Sequence, residues 1–198
     1  MRIALNLKGL DYLALPVHLR RGEQHEPEYR RLNPQARVPV LADGDAVLTQ
    51  SLAIVEYLEE VRPEPPLLPP DPAARARARA LAQIIGCDIQ PLQNLMVLNY
   101  LSGELGHDQD DIGGWCRHWI ERGLGDFEAS ITGHPMTGEY CHGAAPGLAD
   151  IALVPQVYNA RRFNCDLSAC PTVLRIDSAC RALPTFEAAA PENQPDAE

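Results

Sequence analysis

Gln50 and Ser51 are the residues with the clearest potential to bind a ligand. They follow a short apolar stretch and open a segment with helical periodicity. Backbone N–H groups at a helix start have no partner inside the helix, and the helix dipole favours an anion there. The sequence therefore predicts either a carboxylate or phosphate site at Ser51 or, more plainly, an N-cap serine.

Val38 and Pro39 form a second candidate. Pro39 lies inside the apolar stretch 38–41, where a proline cannot donate to a sheet ladder. Val38 could then offer its backbone to a peptide-like ligand. The alternative is a proline at the edge of a strand, without any ligand.

Arg162 is a third candidate. It stands with Arg161 just after the apolar stretch 148–160, and Tyr158 and Asn159 precede it. These polar side chains could form a lip over an acidic ligand. The alternative is a solvated helix end, which favours cations because of the helix dipole.

Composition and spacing argue against several other functions. The net charge of -10 disfavours a nucleic-acid partner, and no apolar run approaches the length of a membrane span. The six histidines and six cysteines have neither triad, C-x-x-C nor other metal-ligand spacing. We therefore predict no metal, buried free thiols and, since the first residues do not resemble a signal peptide, a cytoplasmic location.

The elements that must position these residues fall into two groups. Residues 1–61 predict a helix (2–8), a strand (12–19), a helix (27–32), a strand (38–41), a turn at Asp43-Gly44-Asp45, a strand (47–49) and a helix from Gln50. Residues 62–72 contain six prolines and predict a stiff linker. The predicted domains are therefore 1–61 and 73–198, joined by the linker 62–72.

The second predicted domain is all helical. Its helices are expected at 72–103, with a kink at Pro91 that exposes Gln90, Gln93 and Asn94, and then at 108–131, 148–160 and 171–183. The helix 148–160 is apolar nearly all round and should be the buried central one. The acidic tail 192–198 is expected to be frayed.

Six stretches of this sequence resemble the zeta class of the cytosolic glutathione transferases, the maleylacetoacetate isomerases. They are RIALNLKG (2–9), LNP (32–34), VPVL (38–41), QSLAIVEYL (50–58), QPLQNL (90–95) and LVPQVYNARRF (153–163). The resemblance implies the glutathione transferase architecture. In that architecture a thioredoxin-like α/β domain, here without its first strand, precedes an all-α domain.

The resemblance implies glutathione as cofactor and assigns its binding to eight residues: Gln24, Val38, Pro39, Gln50, Ser51, Gln90, Asn94 and Leu95. Val38 would pair its backbone with the cysteine of glutathione beside a cis Val38–Pro39 bond. Gln50 and Ser51 would hold the γ-glutamyl carboxylate, and Gln24 would assist at the glycyl end. Gln90, Asn94 and Leu95 would act across a homodimer.

The resemblance also implies the reaction, a cis–trans isomerisation of maleylacetoacetate to fumarylacetoacetate in tyrosine and phenylalanine catabolism. Glutathione would add its thiolate to the cis double bond, and Arg162 would face a substrate carboxylate. Three alternatives stay open: maleylpyruvate isomerisation, general glutathione conjugation, and a non-catalytic glutathione-binding or dimerisation module.

The sequence departs from the family pattern at its front. Family members begin with a strand and a Ser-Ser-x-x-x-Arg loop that activates the thiol, and the chain has neither before the helix that starts near Met1. No catalytic residue is therefore assigned within the chain. We expect the missing strand and loop to lie before Met1.

Overall fold

The computed structural model describes residues 1–194 and Ala197. The chain divides into two compact units. The first comprises Met1–Leu67 and Thr185–Glu198, and the second comprises Leu68–Pro184. The predicted domain boundaries at 61 and 73 stay a prediction.

Within Met1–Leu67 the first unit contains the helices and the hairpin α1 (Arg2–Leu7), α2 (Pro27–Leu32), β1 (Val40–Asp43), β2 (Ala46–Thr49) and α3 (Ser51–Val61). Two short 3-10 turns, Leu19–Arg21 and Glu23–His25, precede α2. β1 and β2 pair antiparallel, and Gly44 turns the chain between them with a φ of 58°. The predicted first helix, the helix over 27–32 and the hairpin are confirmed, although β1 begins two residues after the predicted start.

The predicted strand over residues 12–19 is wrong. These residues form no strand, and a 3-10 turn begins at Leu19. A strand needs a ladder of backbone hydrogen bonds, and among the described residues no backbone–backbone bond involves residues 11–17. Leu13 and Leu15 are consequently 83% and 76% exposed.

The second unit is helical, as predicted. It contains α4 (Pro72–Gln83), a π-helical segment (Ile84–Ile89), a 3-10 turn (Gln90–Gln93), α5 (Leu95–Gly103), α6 (Gln109–Ile131), α7 (Leu148–Arg162) and α8 (Pro171–Arg181). The short helix α9 (Pro184–Glu187) begins at the last residue of this unit, and its other residues belong to the first unit. α7 is the most buried helix, with Leu153, Val157 and Ala160 at 0% exposure, which confirms its predicted central position.

The expected single kinked helix over 72–103 is instead broken. The α-helix ends at Gln83, and the chain passes through the π-helical segment and the 3-10 turn before α5 begins. Pro91 lacks an N–H donor, and Asn94 adopts an extended backbone from which its side chain accepts a bond from Met96 N at 3.1 Å. Asn94 therefore starts a new helix rather than continuing the old one.

Glu128 of α6 caps the start of α8 from outside that helix. Its carboxylate accepts from Thr172 N at 3.0 Å and Val173 N at 2.8 Å, and also from the Thr132 hydroxyl at 2.7 Å. The α8 N-cap residue, Cys170, supplies no side-chain bond. Burial opposes ionisation of Glu128, but the bonds from Thr172, Thr132 and Val173 hold its pKa below the usual 4.5.

We expect Glu128→Gln to lower the free energy of unfolding at neutral pH and to make it depend less on pH in the acid range. Because the folded pKa of Glu128 is lowered, its stabilisation is present above pH 4.5 and is lost as the pH falls through the folded pKa. At pH 7 the free energy of unfolding of the variant should be about 1–3 kcal/mol lower than that of wild type. As the pH falls, the free energy of unfolding should decrease less in the variant than in wild type. Urea unfolding from pH 7 to pH 3 measures this.

The exposed Glu104→Gln is the matched control for Glu128→Gln and should keep the wild-type pH profile. If Glu128→Gln and Glu104→Gln had the same profile, the capping role of Glu128 would be wrong.

Three further observations bear on function. Cys116, Cys141, Cys170 and Cys180 are buried free thiols, whereas Cys87 is exposed. Within the described part of the chain, no cluster of three or more His, Cys, Asp or Glu side chains could hold a metal ion. None of the helices built from residues 1–194 and 197 has the length and apolar character needed to cross a membrane.

Candidate functional site

The hairpin brings the two predicted ligand-binding dipeptides of the first unit to one end. Its register pairs Val40 with Thr49. Val38-Pro39, just before Val40, and Gln50-Ser51, just after Thr49, therefore lie beyond the same end of the two strands. The bond between Val38 and Pro39 is cis, as the family resemblance implies.

Val38 presents a backbone N–H and a backbone C=O without partners among the described residues. It is 44% exposed, and among residues 1–194 and 197 no backbone hydrogen bond involves Val38. The preceding carbonyl, that of Arg37, is held from two sides. It accepts from Tyr29 Oη at 2.7 Å and from Asn33 Nδ2 at 2.7 Å.

The two donors, Tyr29 and Asn33, hold the loop that precedes Val38. Asn33 is buried, and its oxygen also accepts from Gln35 N at 3.0 Å, so that one side chain fixes the whole loop 33–37. The Tyr29 phenol is a donor at neutral pH even at its ordinary pKa of 10, and burial raises that pKa further. The Val38 peptide is thus oriented before any ligand arrives.

Gln50 has a backbone conformation that is unusual for a residue with a side chain. Its φ of 70° and ψ of 114° lie in a region that costs a non-glycine residue of order 1–3 kcal/mol. Its side chain is oriented by a bond from Nε2 to Gln35 Oε1 at 2.8 Å. Such local strain is concentrated at ligand-binding sites.

Ser51 is the first residue of α3 and is exposed. Gln50, the N-cap, makes no side-chain capping bond. The first N–H groups of α3 therefore point to a position where an anion would be stabilised by these donors and by the helix dipole. A carboxylate is the natural ligand for this arrangement.

Gln24 lies in the 3-10 turn Glu23–His25 and is 6% exposed. Its Oε1 is buried and has no hydrogen-bond partner among the described residues. Buried polar atoms are normally paired, so this oxygen is an acceptor that a ligand or a water could satisfy.

The remaining predicted site residues lie in the second unit. Gln90 begins the 3-10 turn, Asn94 is the N-cap of α5, and Leu95 is its first residue with 37% exposure. The Asn94 oxygen is already used by Met96 N. Its amide nitrogen is the atom that could contact a ligand.

Arg162 is the last residue of α7 and is exposed. Its Nη1 donates to Asn159 Oδ1 at 3.2 Å. Arg161 differs, because its guanidinium pairs with Asp177, a carboxylate that is 1% exposed. The two adjacent arginines are therefore not equivalent, and the charge of Arg162 is the one available to a ligand.

Sequence reasoning missed two site features that depend on long-range contacts. Gln35 orients Gln50, and Gln93 links Asn159 to Gln156, both on α7. The signal for the second link was present, since Gln156 is a polar residue within an otherwise apolar helix, and a buried amide needs a partner.

Comparison with known proteins finds a matching family model and similar proteins. The profile described as "Glutathione S-transferase, N-terminal domain" matches residues 1–61. A probable maleylacetoacetate isomerase of Vibrio cholerae is 50% identical over 199 aligned positions, which cover 100% of this chain and 92% of the relative.

Two solved structures have closely similar folds. The holo structure of a bacterial zeta-class maleylpyruvate isomerase has a TM-score of 0.97 and 48% identity, covering 100% of this chain and 93% of that one. Maleylacetoacetate isomerase of Methylobacterium extorquens AM1, with bound malonate and glutathione, has a TM-score of 0.96 and 42% identity, covering 100% and 92%.

Proposed function

The chain belongs to the zeta class of the glutathione S-transferase family, with the maleylacetoacetate isomerases, and from this premise we propose that it isomerises maleylacetoacetate to fumarylacetoacetate with glutathione as cofactor. The observation that carries the proposal is the end of the hairpin, where the unpaired Val38 peptide adjoins the uncapped start of α3. A peptide-like ligand with a free carboxylate matches both features.

The residues fit glutathione in chemical type. Val38 offers a donor and an acceptor to a peptide backbone, and Ser51 offers a hydroxyl and a helix-start N–H to a carboxylate. Gln50, held by Gln35, would add an amide to the same carboxylate, and Gln24 would serve the glycyl end. Gln90, Asn94 and Leu95 keep their predicted role as glutathione contacts.

Bound glutathione supplies a thiolate, which adds reversibly to the conjugated cis double bond and so permits rotation about it. Substrates of this kind carry carboxylates, and the role left to Arg162 is to bind one of them through its guanidinium. Arg162 is suited to this because its partner, Asn159, is neutral and leaves the positive charge unpaired.

Maleylpyruvate is the second candidate substrate. It is favoured by the similarity to the bacterial maleylpyruvate isomerase with a TM-score of 0.97. Both substrates are cis-unsaturated acids, so the same groups would serve either. The ratio of kcat/KM for the two substrates decides between them.

We also propose a cytoplasmic homodimer. The support lies in α5, where six of nine residues are apolar and none is buried. Met96 is 61% exposed and Tyr100 is 57% exposed, and such an apolar surface is typical of an interface. Sedimentation equilibrium measures the mass in solution.

For the glutathione site we expect Ser51→Ala to raise the Kd of glutathione about tenfold, because a hydrogen bond to a charged carboxylate is lost. Isothermal titration calorimetry measures the affinity, and a chromatographic assay of the trans product measures turnover. Ser130→Ala is the matched control, because Ser130 is exposed on α6 and its hydroxyl donates only to Asp126 O.

The outcomes separate the candidate functions. Glutathione binding that Ser51→Ala weakens, together with turnover, supports the isomerase. Binding without turnover supports a non-catalytic glutathione-binding module. If Ser51→Ala and Ser130→Ala bind glutathione equally well, the proposed carboxylate site at α3 is wrong.

A further inference from the structure

We propose that Gln93 is a positioning residue that acts through Asn159 to fix the guanidinium of Arg162 for a ligand carboxylate. The inference rests on the proposed function only for the identity of that ligand. It is carried by a chain of side-chain hydrogen bonds within the second unit, which joins the 3-10 turn Gln90–Gln93 to the end of α7.

The chain of bonds runs in one direction. Arg162 Nη1 donates to Asn159 Oδ1 at 3.2 Å, Asn159 Nδ2 donates to Gln93 Oε1 at 2.5 Å, and Gln93 Nε2 donates to Gln156 Oε1 at 2.8 Å. Asn159 and Gln93 thus each accept from one neighbour and donate to the next, and the Gln156 oxygen is the last acceptor. Bonds ordered in this way polarise and strengthen one another.

The chain is anchored in the core at its far end. Gln156 is 1% exposed, Gln93 and Asn159 are half-buried, and Arg162 is exposed. Asn159 cannot rotate away from Arg162 without also breaking its bond to Gln93. Through these bonds the buried Gln156 limits the rotamers of Arg162, a surface side chain that would otherwise have many.

The neighbouring Arg161 is held in place in a different way, by an ion pair. Arg161 is fixed by the buried carboxylate of Asp177, and this pairing also cancels its charge. Among the described residues, no carboxylate forms an ion pair with Arg162. The amide chain fixes its position while it keeps the charge for an incoming anion.

A purely structural role explains the amides less well. Burying an amide is costly unless all its groups are paired. Gln156 Nε2 is buried and has no partner among residues 1–194 and 197. An apolar residue at position 156 would avoid this cost, so packing alone does not account for the arrangement.

The first test observes Arg162 directly in the protein without ligand. Nuclear magnetic resonance measures how fast its guanidinium rotates about the Nε–Cζ bond, with the signal assigned by Arg162→Lys. We expect rotation slower than that of the exposed Arg181. Gln93→Met, which removes both amide bonds, should make it faster, and Gln93→Glu, which retains an acceptor for Asn159, should restore slow rotation.

The second test measures the affinity for malonate, a dicarboxylate probe, in a double-mutant cycle. We expect Gln93→Met to weaken malonate about three- to tenfold, and to have no effect when Arg162→Met is already present. Gln83→Met is the matched control, since Gln83 is exposed at the end of α4. It should change neither the rotation rate nor the affinity.

Each outcome counts for or against the positioning role. Rotation of Arg162 in the wild-type protein as fast as that of Arg181 overturns it, whether or not any variant folds. An effect of Gln93→Met that persists without Arg162 also overturns it. Failure of the wild-type protein to bind malonate counts against the proposed function and leaves the rotation test decisive for Gln93.

Discussion

Asp150→Ala is expected to lower the free energy of unfolding by about 2–4 kcal/mol. Asp150 lies in the first turn of α7 and is 1% exposed. Its two oxygens accept separately from Cys141 N and Gly147 N, each at 2.9 Å. Alanine leaves both backbone donors unpaired, and a buried unpaired N–H costs about 1–3 kcal/mol.

Burying the charged carboxylate of Asp150 is itself unfavourable, and a variant without the charge measures that contribution. Burial raises the pKa of Asp150, although the bonds from Cys141 and Gly147 act in the opposite direction. Asp150→Asn removes the charge and keeps one oxygen as acceptor. We expect Asp150→Asn to be less stable than wild type and more stable than Asp150→Ala.

Tryptophan fluorescence in a urea titration is the appropriate measurement. The chain's two tryptophans, Trp115 and Trp119, both lie in α6 of the second unit. Asp126→Ala, an exposed substitution in the same helix, should stay within about 0.5 kcal/mol of wild type. A loss for Asp150→Ala no larger than that of Asp126→Ala would refute the assigned role.

Asp150 also illustrates what the sequence could predict. Its position three residues after Gly147 predicts a carboxylate at the start of a helix, and the bond from Gly147 N confirms this. The bond from Cys141 N is not predictable from a local pattern, because it depends on how the loop before α7 folds back.

The positions of the candidate binding residues of the first unit were predictable for the same local reason. A proline beside a strand, a turn at Gly44 and a serine at a helix start are each visible within a few residues. The hairpin register then brings them to one end. Gln35 gave no such signal, since its contact with Gln50 spans a separation of 15 residues.

The wrong prediction of a strand over 12–19 and the requirement for Gly123 both depend on packing partners that a local pattern does not show. Residues 12–19 have apolar strand composition, but composition does not supply a pairing partner. Gly123, inside α6, has a low helix propensity, yet a Cβ there would lie 2.3 Å from Ile89 Cγ1. Glycine at this position is required by the close approach of the π-helical segment, which no local rule reveals.

Lys8→Met is expected to destabilise the first unit by about 3–5 kcal/mol. The Lys8 side chain is fully buried, and its Nζ donates to Glu59 Oε2 at 2.9 Å, Arg62 O at 2.7 Å and Pro65 O at 3.0 Å. The three protons of the ammonium group thus have three acceptors. Methionine would remove the ammonium group that pairs with the buried Glu59 carboxylate.

Lys8→Arg should also be destabilising, although it keeps the charge. Lys8 is the sequence's only lysine among 17 basic residues. Its ammonium is a compact group that suits three converging acceptors, whereas a guanidinium is planar and larger. Surface positions exchange lysine and arginine freely, so a loss of more than about 1 kcal/mol on this exchange identifies a geometric requirement.

Hydrogen exchange of the α1 and α3 amides measures both Lys8 variants within the first unit, which has no tryptophan. Arg31→Met is the control, because Arg31 and Glu28 form an exposed ion pair of little expected stability. Adding Glu59→Gln to Lys8→Met should recover part of the lost protection, since it removes a buried charge that no longer faces the Lys8 ammonium. If the double variant lost as much as the sum of the single variants, the ion pair would not be the source of the stability.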